Sequence, residues 1–158
     1  MLFPKQLSQL CKAKGVSVSV AESCTSGLVS HKITSISGSS SYFKGGVIAY
    51  NNEIKTKFLD VSKSIILINT EVSIESVTQM SKSVKKDFVT DYAIATSGYA
   101  GPSGGNSKNP IGTVFISVSG LLSTHVSRFV FKGDRKSIID QAANKSLELL
   151  CLAIKKQK

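Results

Sequence analysis

Val18-Ser19-Val20-Ala21-Glu22-Ser23-Cys24-Thr25-Ser26-Gly27 is the stretch that decides the fold of this chain. The segment over residues 17–21 is short and rich in β-branched side chains, a pattern that predicts a strand. Three hydroxyl side chains follow, at Ser23, Thr25 and Ser26, and each is a candidate N-cap for a helix over residues 28–33. The stretch therefore predicts a strand that passes through a sharp turn directly into a helix.

A strand–turn–helix junction of this kind has two interpretations. The free N–H groups and positive potential of a helix N-terminus can stabilise an anion, so a hydroxyl held there has oxyanion donors beside it. The same hydroxyl can also do no more than cap the helix, which is the commoner arrangement. Spacing alone leaves Ser23 either a nucleophile or a cap.

Hydrophobic periodicity predicts the remaining elements of the chain. Helices are expected over residues 2–14, 28–35, 53–59 (capped by Asn51 or Asn52), 74–88 (capped by Ser73, with Ile74, Val77, Met80, Val84 and Phe88 on one face) and 134–155. Further strands are expected over residues 47–50, 92–96, 111–118 and 124–131. This order predicts an α/β fold, a three-layer α/β/α arrangement with a mixed, mainly parallel sheet. The length of 158 residues suits a single domain over residues 1–158.

Bulk properties narrow the class of protein. The formal net charge is +10, but the lysines are scattered and no aromatic side chains interleave with them, so we expect a solvated surface and no nucleic-acid partner. A positive field of this size would attract a small phosphorylated ligand. No run of 18 apolar residues occurs, and residues 1–5 lack a signal-peptide core, so we expect no membrane association.

The cysteines and histidines are few. Cys11, Cys24 and Cys151 are odd in number, which is typical of reduced thiols in a cytoplasmic protein. His31 and His125 are isolated, and no Cys/His cluster has the spacing of metal ligands. We therefore expect neither a metal site nor a Ser-His-Asp triad.

A second organised loop spans residues 97–109. Glycine, proline and asparagine dominate it, so it cannot pack a core. Such a loop is either a linker or a place where backbone approaches a ligand closely. A linker would be odd between two strands of one sheet, so we expect the loop to line a ligand site opposite Ser23.

A serine nucleophile without a histidine needs another base. Lysine serves in Ser-Lys variants of the triad if burial lowers its pKa. Lys55 lies between Ile54 and Phe58 and is either an exposed helix lysine or a partly buried base.

Other side chains have two interpretations as well. Arg135, at the opening of the last helix, is either a surface residue or a phosphate ligand. Cys24 is a rival nucleophile, since a helix N-terminus lowers the pKa of a thiol. Tyr42, Phe43 and Tyr99 either pack or stack on an aromatic ligand.

Five blocks of sequence occur together in one order. They are Ala21-Glu22-Ser23-Cys24-Thr25 with Gly27, Gly38 to Phe43, Gly45-Gly46-Val47-Ile48-Ala49-Tyr50-Asn51-Asn52-Glu53-Ile54-Lys55, Ser97 to Gly105 with Asn109 to Val114, and Phe131 to Arg135. In order and spacing they resemble the C-terminal domain of the competence/damage-inducible CinA family, over most of the chain. Stand-alone members of that family are nicotinamide-nucleotide amidohydrolases.

The resemblance implies a three-layer α/β/α domain that hydrolyses nicotinamide mononucleotide without metal or cofactor. It implies Ser23, Lys55 and Tyr50 as catalytic residues. The substrate-binding residues that we expect are Cys24, Thr25, Ser26, Gly27, Ser39, Ser97, Gly98, Tyr99, Ala100, Gly101 and Arg135. The expected partner is a small nucleotide; a homo-oligomer is compatible with the sequence. The alternative is a catalytically silent nucleotide-binding or interaction module linked to competence or DNA damage.

Three positions depart from the family pattern. Ser26-Gly27 replaces the usual Gly-Gly doublet, Thr70-Glu71-Val72-Ser73 replaces Gly-Ala-Val-Ser, and Asn109-Pro110 replaces Lys-Pro. We expect these differences to bear on rate or substrate preference more than on the fold. A Cβ at Ser26 could tighten the turn that follows Ser23.

Overall fold

The computed structural model describes residues 2–156, which form six α-helices and five strands. The helices are α1 (Leu2–Lys14), α2 (Leu28–Thr34), α3 (Asn52–Leu59), α4 (Lys63–Asn69), α5 (Ile74–Asp87) and α6 (Arg135–Lys156). The strands are β1 (Val18–Glu22), β2 (Phe43–Ile48), β3 (Tyr92–Gly98), β4 (Thr113–Ser119) and β5 (Thr124–Val130). A single 3-10 turn, Ser39–Ser41, precedes β2.

All five strands belong to one mixed sheet in the order β2-β1-β3-β4-β5. β1 pairs in parallel with both β2 and β3, whereas β4 is antiparallel to its two neighbours. Four strands therefore run in one direction and only β4 opposes them. After β1 the chain crosses to β2 on one side and then returns to β3 on the other, so β1 is a topological switch point. In α/β sheets, ligands bind beyond the carboxyl ends of the strands at such a point.

Strands β1 and β3 are buried on both faces. Val18 and Val20 of β1 belong to a core cluster with residues of α1, α2 and α6, whereas Ala21 faces the cluster under α5. The same alternation continues in β3, where Ile94 faces the first cluster and Ala93 faces the second. Burial of successive residues on opposite faces explains why both strands read as apolar runs.

Helices cover both faces of the sheet. α1, α2 and α6 pack together on one face, and α5, flanked by α3 and α4, covers the other. The expected three-layer α/β/α architecture is confirmed. Ser73 caps α5 as expected, since its hydroxyl accepts from the Ser76 N–H, and Asn51 is the cap of α3.

Two elements differ from the expectations, one strand in its bounds and one helix that was not expected. β2 ends at Ile48 rather than at Tyr50 and begins at Phe43, because Gly46 belongs to the ladder. A Cβ at Gly46 would collide with the Val20 carbonyl, so the glycine allows the two strands to pair. Helix α4 was not expected, and none of its residues is fully buried.

The face of α5 also differs in part. Ile74, expected on the apolar face, is about half exposed, whereas Val77, Met80 and Val84 are fully buried as expected. Serines at positions 76, 81 and 83 complete the buried face. Ser81 is accommodated because its hydroxyl bonds to those of Ser117 and Ser119 on β4.

Two bulk properties can be compared with the structure. The three cysteines are buried free thiols. Within residues 2–156, no helix combines the length and the apolar character needed to cross a bilayer.

Candidate active site

A cavity of about 330 Å³ opens at the carboxyl ends of β1 and β3. Five parts of the chain beyond β1 contribute to it: the segment after β2, the first turns of α3, the linker between α4 and α5, the end of β3 with the segment after it, and the start of α6. Its lining residues are Ser23, Cys24, Tyr50, Asn51, Asn52, Lys55, Glu71, Val72, Ser97, Gly98, Tyr99, Ala100 and Arg135. The cavity thus brings Ser23, Lys55 and Tyr50 together at the topological switch point, although they lie in separate segments of the sequence.

The turn after β1 is organised by the Glu22 carboxylate, which is buried. One carboxylate oxygen accepts from the Thr25 hydroxyl at 2.7 Å and from the N–H groups of Gly27 at 2.9 Å and Val29 at 3.1 Å. The other oxygen accepts from the Ser30 N–H at 2.8 Å and the Ser30 hydroxyl at 2.7 Å. The positive end of α2 therefore already holds an anion, and that anion is a side chain of the protein.

This arrangement corrects two expectations about the turn. The N-cap of α2 is Gly27, which makes no side-chain cap bond, so none of the three hydroxyl residues caps the helix. The Gly27 N–H is also no oxyanion donor, because it points to Glu22. The backbone N–H groups of Cys24 and Thr25 make no backbone hydrogen bond within residues 2–156, and they lie directly after Ser23.

Ser26 holds a conformation that favours glycine. Its φ is 44°, and the next residue, Gly27, has a φ of 97°. The left-handed region is costly for a residue with a Cβ. The backbone at Ser26 is thus strained, and its side chain is exposed; the expected tightening of the turn stays a prediction.

Lys55 is the buried cation of the cavity. Its side chain is 1% exposed, and its Nζ lies 3.5 Å from Asn52 Oδ1. Desolvation lowers the pKa of Lys55, and the nearby Glu71 carboxylate opposes that shift. Of the two interpretations of Lys55, the structure supports the partly buried amine. Phe58, one of the two apolar flanks, is itself half exposed, so the cavity walls supply the burial.

Arg135 joins three parts of the site. Its guanidinium donates to the Gly101 carbonyl at 2.7 Å and to the Tyr50 hydroxyl at 2.7 Å. The two contacts fix the loop after β3 and the segment after β2 against the start of α6. Tyr50, which the resemblance implies as a catalytic residue, is therefore partnered by Arg135.

The Cys24 thiol lies in the cavity but is a weak candidate for a nucleophile. Burial raises the pKa of Cys24 to about 12, although Lys55 and the Thr96 hydroxyl act in the opposite direction. The expected lowering by the helix N-terminus is wrong, because Glu22 occupies that terminus. A thiol with this pKa is almost entirely protonated at neutral pH.

The other expected ligand residues divide into two groups. Ser97, Gly98, Tyr99 and Ala100 line the cavity, as does Cys24. Thr25 does not, because its hydroxyl bonds to Glu22 and Thr96. Gly101 contributes through the carbonyl that Arg135 binds.

Ser39 lies away from the cavity. It belongs to the 3-10 turn before β2, and the start of β2 pairs with Val18 at the amino end of β1. Ser23 follows the carboxyl end of the same strand, so the length of β1 separates the two serines.

The sequence analysis missed three polar residues of the cavity, Asn51, Asn52 and Glu71. The two asparagines were expected only as helix caps. Glu71 was noted only as a departure from a family pattern. Its position between the unexpected helix α4 and α5 gave no local signal of a site.

Fold and site together define a class of protein, an α/β/α domain with a serine and a buried lysine in one cleft beyond the parallel strands. The model of the CinA C-terminal domain family matches residues 3–154, and the chain belongs to that family.

Named relatives agree with this assignment. A CinA-like protein of Thermosipho melanesiensis is 45% identical over 141 residues, covering 88% of this chain and 35% of the relative. A CinA-like protein of Flavobacterium psychrophilum is 40% identical over 144 residues, covering 91% and 34%. The chain thus spans about a third of the length of these curated relatives.

Solved structures resemble the chain along its whole length. The competence damage-inducible protein A (ComA) of Klebsiella pneumoniae has a TM-score of 0.95 at 28% identity, covering 99% of this chain and 97% of that one. A competence or damage-inducible protein of Enterobacter asburiae has a TM-score of 0.92 at 30% identity, with 96% of each chain covered.

Proposed function

We propose that this protein is a nicotinamide-nucleotide amidohydrolase, which hydrolyses nicotinamide mononucleotide to nicotinic acid mononucleotide and ammonia. The observation that carries the proposal is the buried amine of Lys55 in the same cavity as the Ser23 hydroxyl. Burial lowers the pKa of Lys55, and only a neutral amine can act as a base. Membership of a family that includes amidohydrolases supports the same conclusion.

The proposed cycle uses two half-reactions. Neutral Lys55 takes the proton of Ser23 Oγ, and the oxygen attacks the carboxamide carbon. The tetrahedral oxyanion accepts hydrogen bonds from the N–H groups of Cys24 and Thr25. Protonated Lys55 returns the proton to the nitrogen, so the C–N bond breaks and ammonia leaves. Water then attacks the acyl-enzyme with the same lysine as base, which releases the carboxylic acid and restores Ser23.

Arg135 and Tyr50 form the part of the cavity suited to a phosphate. A guanidinium binds phosphate oxygens in a bidentate geometry, and Arg135 stands at the start of α6. Its hydrogen bond to Tyr50 holds the guanidinium at the rim of the cavity. In this proposal Tyr50 positions Arg135, and Arg135 binds the substrate phosphate.

The direct test is ammonia release from nicotinamide mononucleotide in the presence of EDTA. We expect turnover by the unmodified protein and loss of at least about a thousandfold in Ser23→Ala, as removal of a nucleophile produces. Cys24→Ser, a change at the adjacent residue, is the matched control and should retain most activity. Full activity in Ser23→Ala would refute the assignment of the nucleophile.

One observation favours a second candidate, a nucleotide-binding module without catalysis. Lys55 approaches Asn52, and no hydrogen bond joins Lys55 to Ser23 within residues 2–156. Such bonds are often long before a substrate binds, so the two candidates differ in outcome only when ligand is added. Binding of nicotinamide mononucleotide without ammonia release would establish the silent module.

A further inference from the structure

Glu71 places a carboxylate in the cavity that the proposed cycle does not use. The residue lies in the linker between α4 and α5, where its backbone carbonyl accepts from the Ser97 hydroxyl at 2.7 Å. Its side chain is half-buried and lines the cavity together with Ser23 and Lys55. Within residues 2–156, the carboxylate forms neither an ion pair nor a hydrogen bond, so its charge is available to a ligand.

Tyr99 lies beside this carboxylate. Both residues line the cavity, and Glu71 acts together with burial to raise the pKa of Tyr99. The phenol therefore stays neutral, and its ring keeps the negative face that attracts cations. A carboxylate next to an aromatic ring is a combination suited to a flat, positively charged group.

The cavity thus offers two opposite charges to one ligand. Arg135 carries the positive charge, and Glu71 carries the negative one; no ion pair joins them in the described part of the chain. An oxidised pyridine nucleotide has the complementary pair, a cationic ring and an anionic phosphate. Its reduced form keeps the phosphate but has a neutral ring.

We propose that Glu71 is a specificity-determining residue that binds the cationic ring of an oxidised pyridine nucleotide and discriminates against the neutral, reduced ring. The inference rests on the proposed function, because it assigns the substrate class of the same cavity. Since Glu71 touches the ring and not the carboxamide, its role is recognition of charge rather than bond cleavage.

The same contact has a consequence for the base. Among the groups that face Lys55, Glu71 is the largest electrostatic influence that raises its pKa, and Cys24 is the second. Burial raises the pKa of Cys24 to about 12, so the thiol stays neutral over the working range. Arg135 and Tyr50 lie in the same cavity and are joined to each other. A cationic ring beside Glu71 neutralises the carboxylate, so substrate binding should lower the pKa of Lys55.

Binding measurements test the charge selectivity. Oxidised and reduced nicotinamide mononucleotide are titrated by calorimetry into the Ser23→Ala protein, in which no turnover occurs. Glu71→Gln, made in the same background, should weaken binding of the oxidised form about tenfold, which is the effect of losing one partly solvated charge contact. Binding of the reduced form should be unchanged. Glu75→Gln is the matched control, because Glu75 is exposed in the first turn of α5 and outside the cavity. Equal weakening of both forms, or none, would overturn the inference.

A pH profile tests the coupling to Lys55. The acid limb of kcat/KM reports the free enzyme, and that of kcat reports the substrate complex. We expect the kcat limb to lie at lower pH than the kcat/KM limb, and Glu71→Gln to move the kcat/KM limb to lower pH. An unmoved kcat/KM limb in Glu71→Gln would refute the coupling.

The two proposals fail in different ways. Without any ammonia release the amidohydrolase proposal falls, but calorimetry still compares the two ring charges. Turnover by the unmodified protein together with equal binding of both rings would retain the amidohydrolase and remove the role of Glu71.

Discussion

Glu22→Gln is the substitution that tests most directly how the turn is held. The change keeps the shape of the side chain but replaces one acceptor oxygen with an NH₂ donor. The better orientation keeps the oxygen toward Thr25, Gly27 and Val29 and turns the NH₂ toward Ser30. The Ser30 N–H then faces another donor, although the Ser30 hydroxyl can rotate to accept.

The cost can be worked out from these contacts. An orphaned N–H costs about 1–3 kcal/mol, and conversion of three charge-assisted bonds into neutral ones costs about 1 kcal/mol each. Loss of the charge at the N-terminus of α2 adds about 0.3–1 kcal/mol. Water can reach the partly exposed Gly27 and Ser30, which reduces the sum. We expect the free energy of unfolding to fall by about 3–5 kcal/mol, a large share of the typical total for a domain.

Urea denaturation measures this loss. With a slope near 2 kcal/mol per molar, the midpoint should fall by about 2 M with the slope unchanged. Glu53→Gln is the matched control, because Glu53 is an exposed carboxylate in the first turn of α3. We expect that control to lose less than about 1 kcal/mol. Equal midpoints for the two variants would show that the Glu22 network contributes nothing beyond an ordinary helix-end charge.

Three further substitutions test other parts of the site. Lys55→Arg should lose nearly all ammonia release, since a guanidinium does not deprotonate. In the unmodified protein, kcat/KM should rise with pH as Lys55 becomes neutral. Because burial lowers the pKa of Lys55, that rise should come at a lower pH than for an ordinary lysine. An active Lys55→Arg enzyme would rule out lysine as the base. Ser26→Gly should raise the unfolding free energy by about 0.5–1 kcal/mol. This is the strain of a φ of 44° that the change removes, less the entropy that glycine adds to the unfolded chain. An unchanged urea midpoint would mean that the strain is relieved locally. Gly101→Val should raise KM for nicotinamide mononucleotide. Gly101 has a φ of 76°, an added Cβ would press on Ile111, and the Gly101 carbonyl binds Arg135. Normal kinetics in this variant would show that the loop after β3 does not contribute to the site.

The parts of the fold that could be predicted are those with a local signal. β1 and β3 are apolar runs because both faces are buried, and α5 begins at a serine whose hydroxyl accepts from the backbone. β2 was misplaced because a glycine pair reads as a break. Gly46 is in fact required by the close approach of β1, a fact that only the pairing reveals.

The candidate site could be predicted only where its residues are consecutive or fit a family block. Ser23 and Lys55 line one cavity, which the family blocks implied. The partner of Tyr50 is Arg135, 85 residues away, and no periodicity reports such a contact. Glu22 was overlooked because its five hydrogen bonds come from the turn and helix that follow it. An acidic residue shortly before a helix start was the available signal.

Two departures from the family pattern fall where the backbone is strained. Ser26 and Thr70 both stand where the family usually has glycine, and their φ values are 44° and 70°. With a ψ of 168°, Thr70 occupies a region that almost only glycine adopts, at a cost of about 1–3 kcal/mol.

The surroundings of Thr70 explain how it is retained. Its carbonyl accepts from the hydroxyls of Ser73 at 2.9 Å and Ser76 at 2.8 Å, and its own hydroxyl accepts from the Val72 N–H at 3.3 Å. These bonds join the backbone of residues 70–72 to the start of α5 despite the strain. Glu71 lies at the centre of that segment, so the strained linker positions the backbone of a residue that lines the cavity with Lys55. Backbone strain is often stored next to functional sites. The strain at Thr70 therefore favours a role for the neighbouring Glu71 in presenting its side chain to the cavity rather than in stabilising the linker.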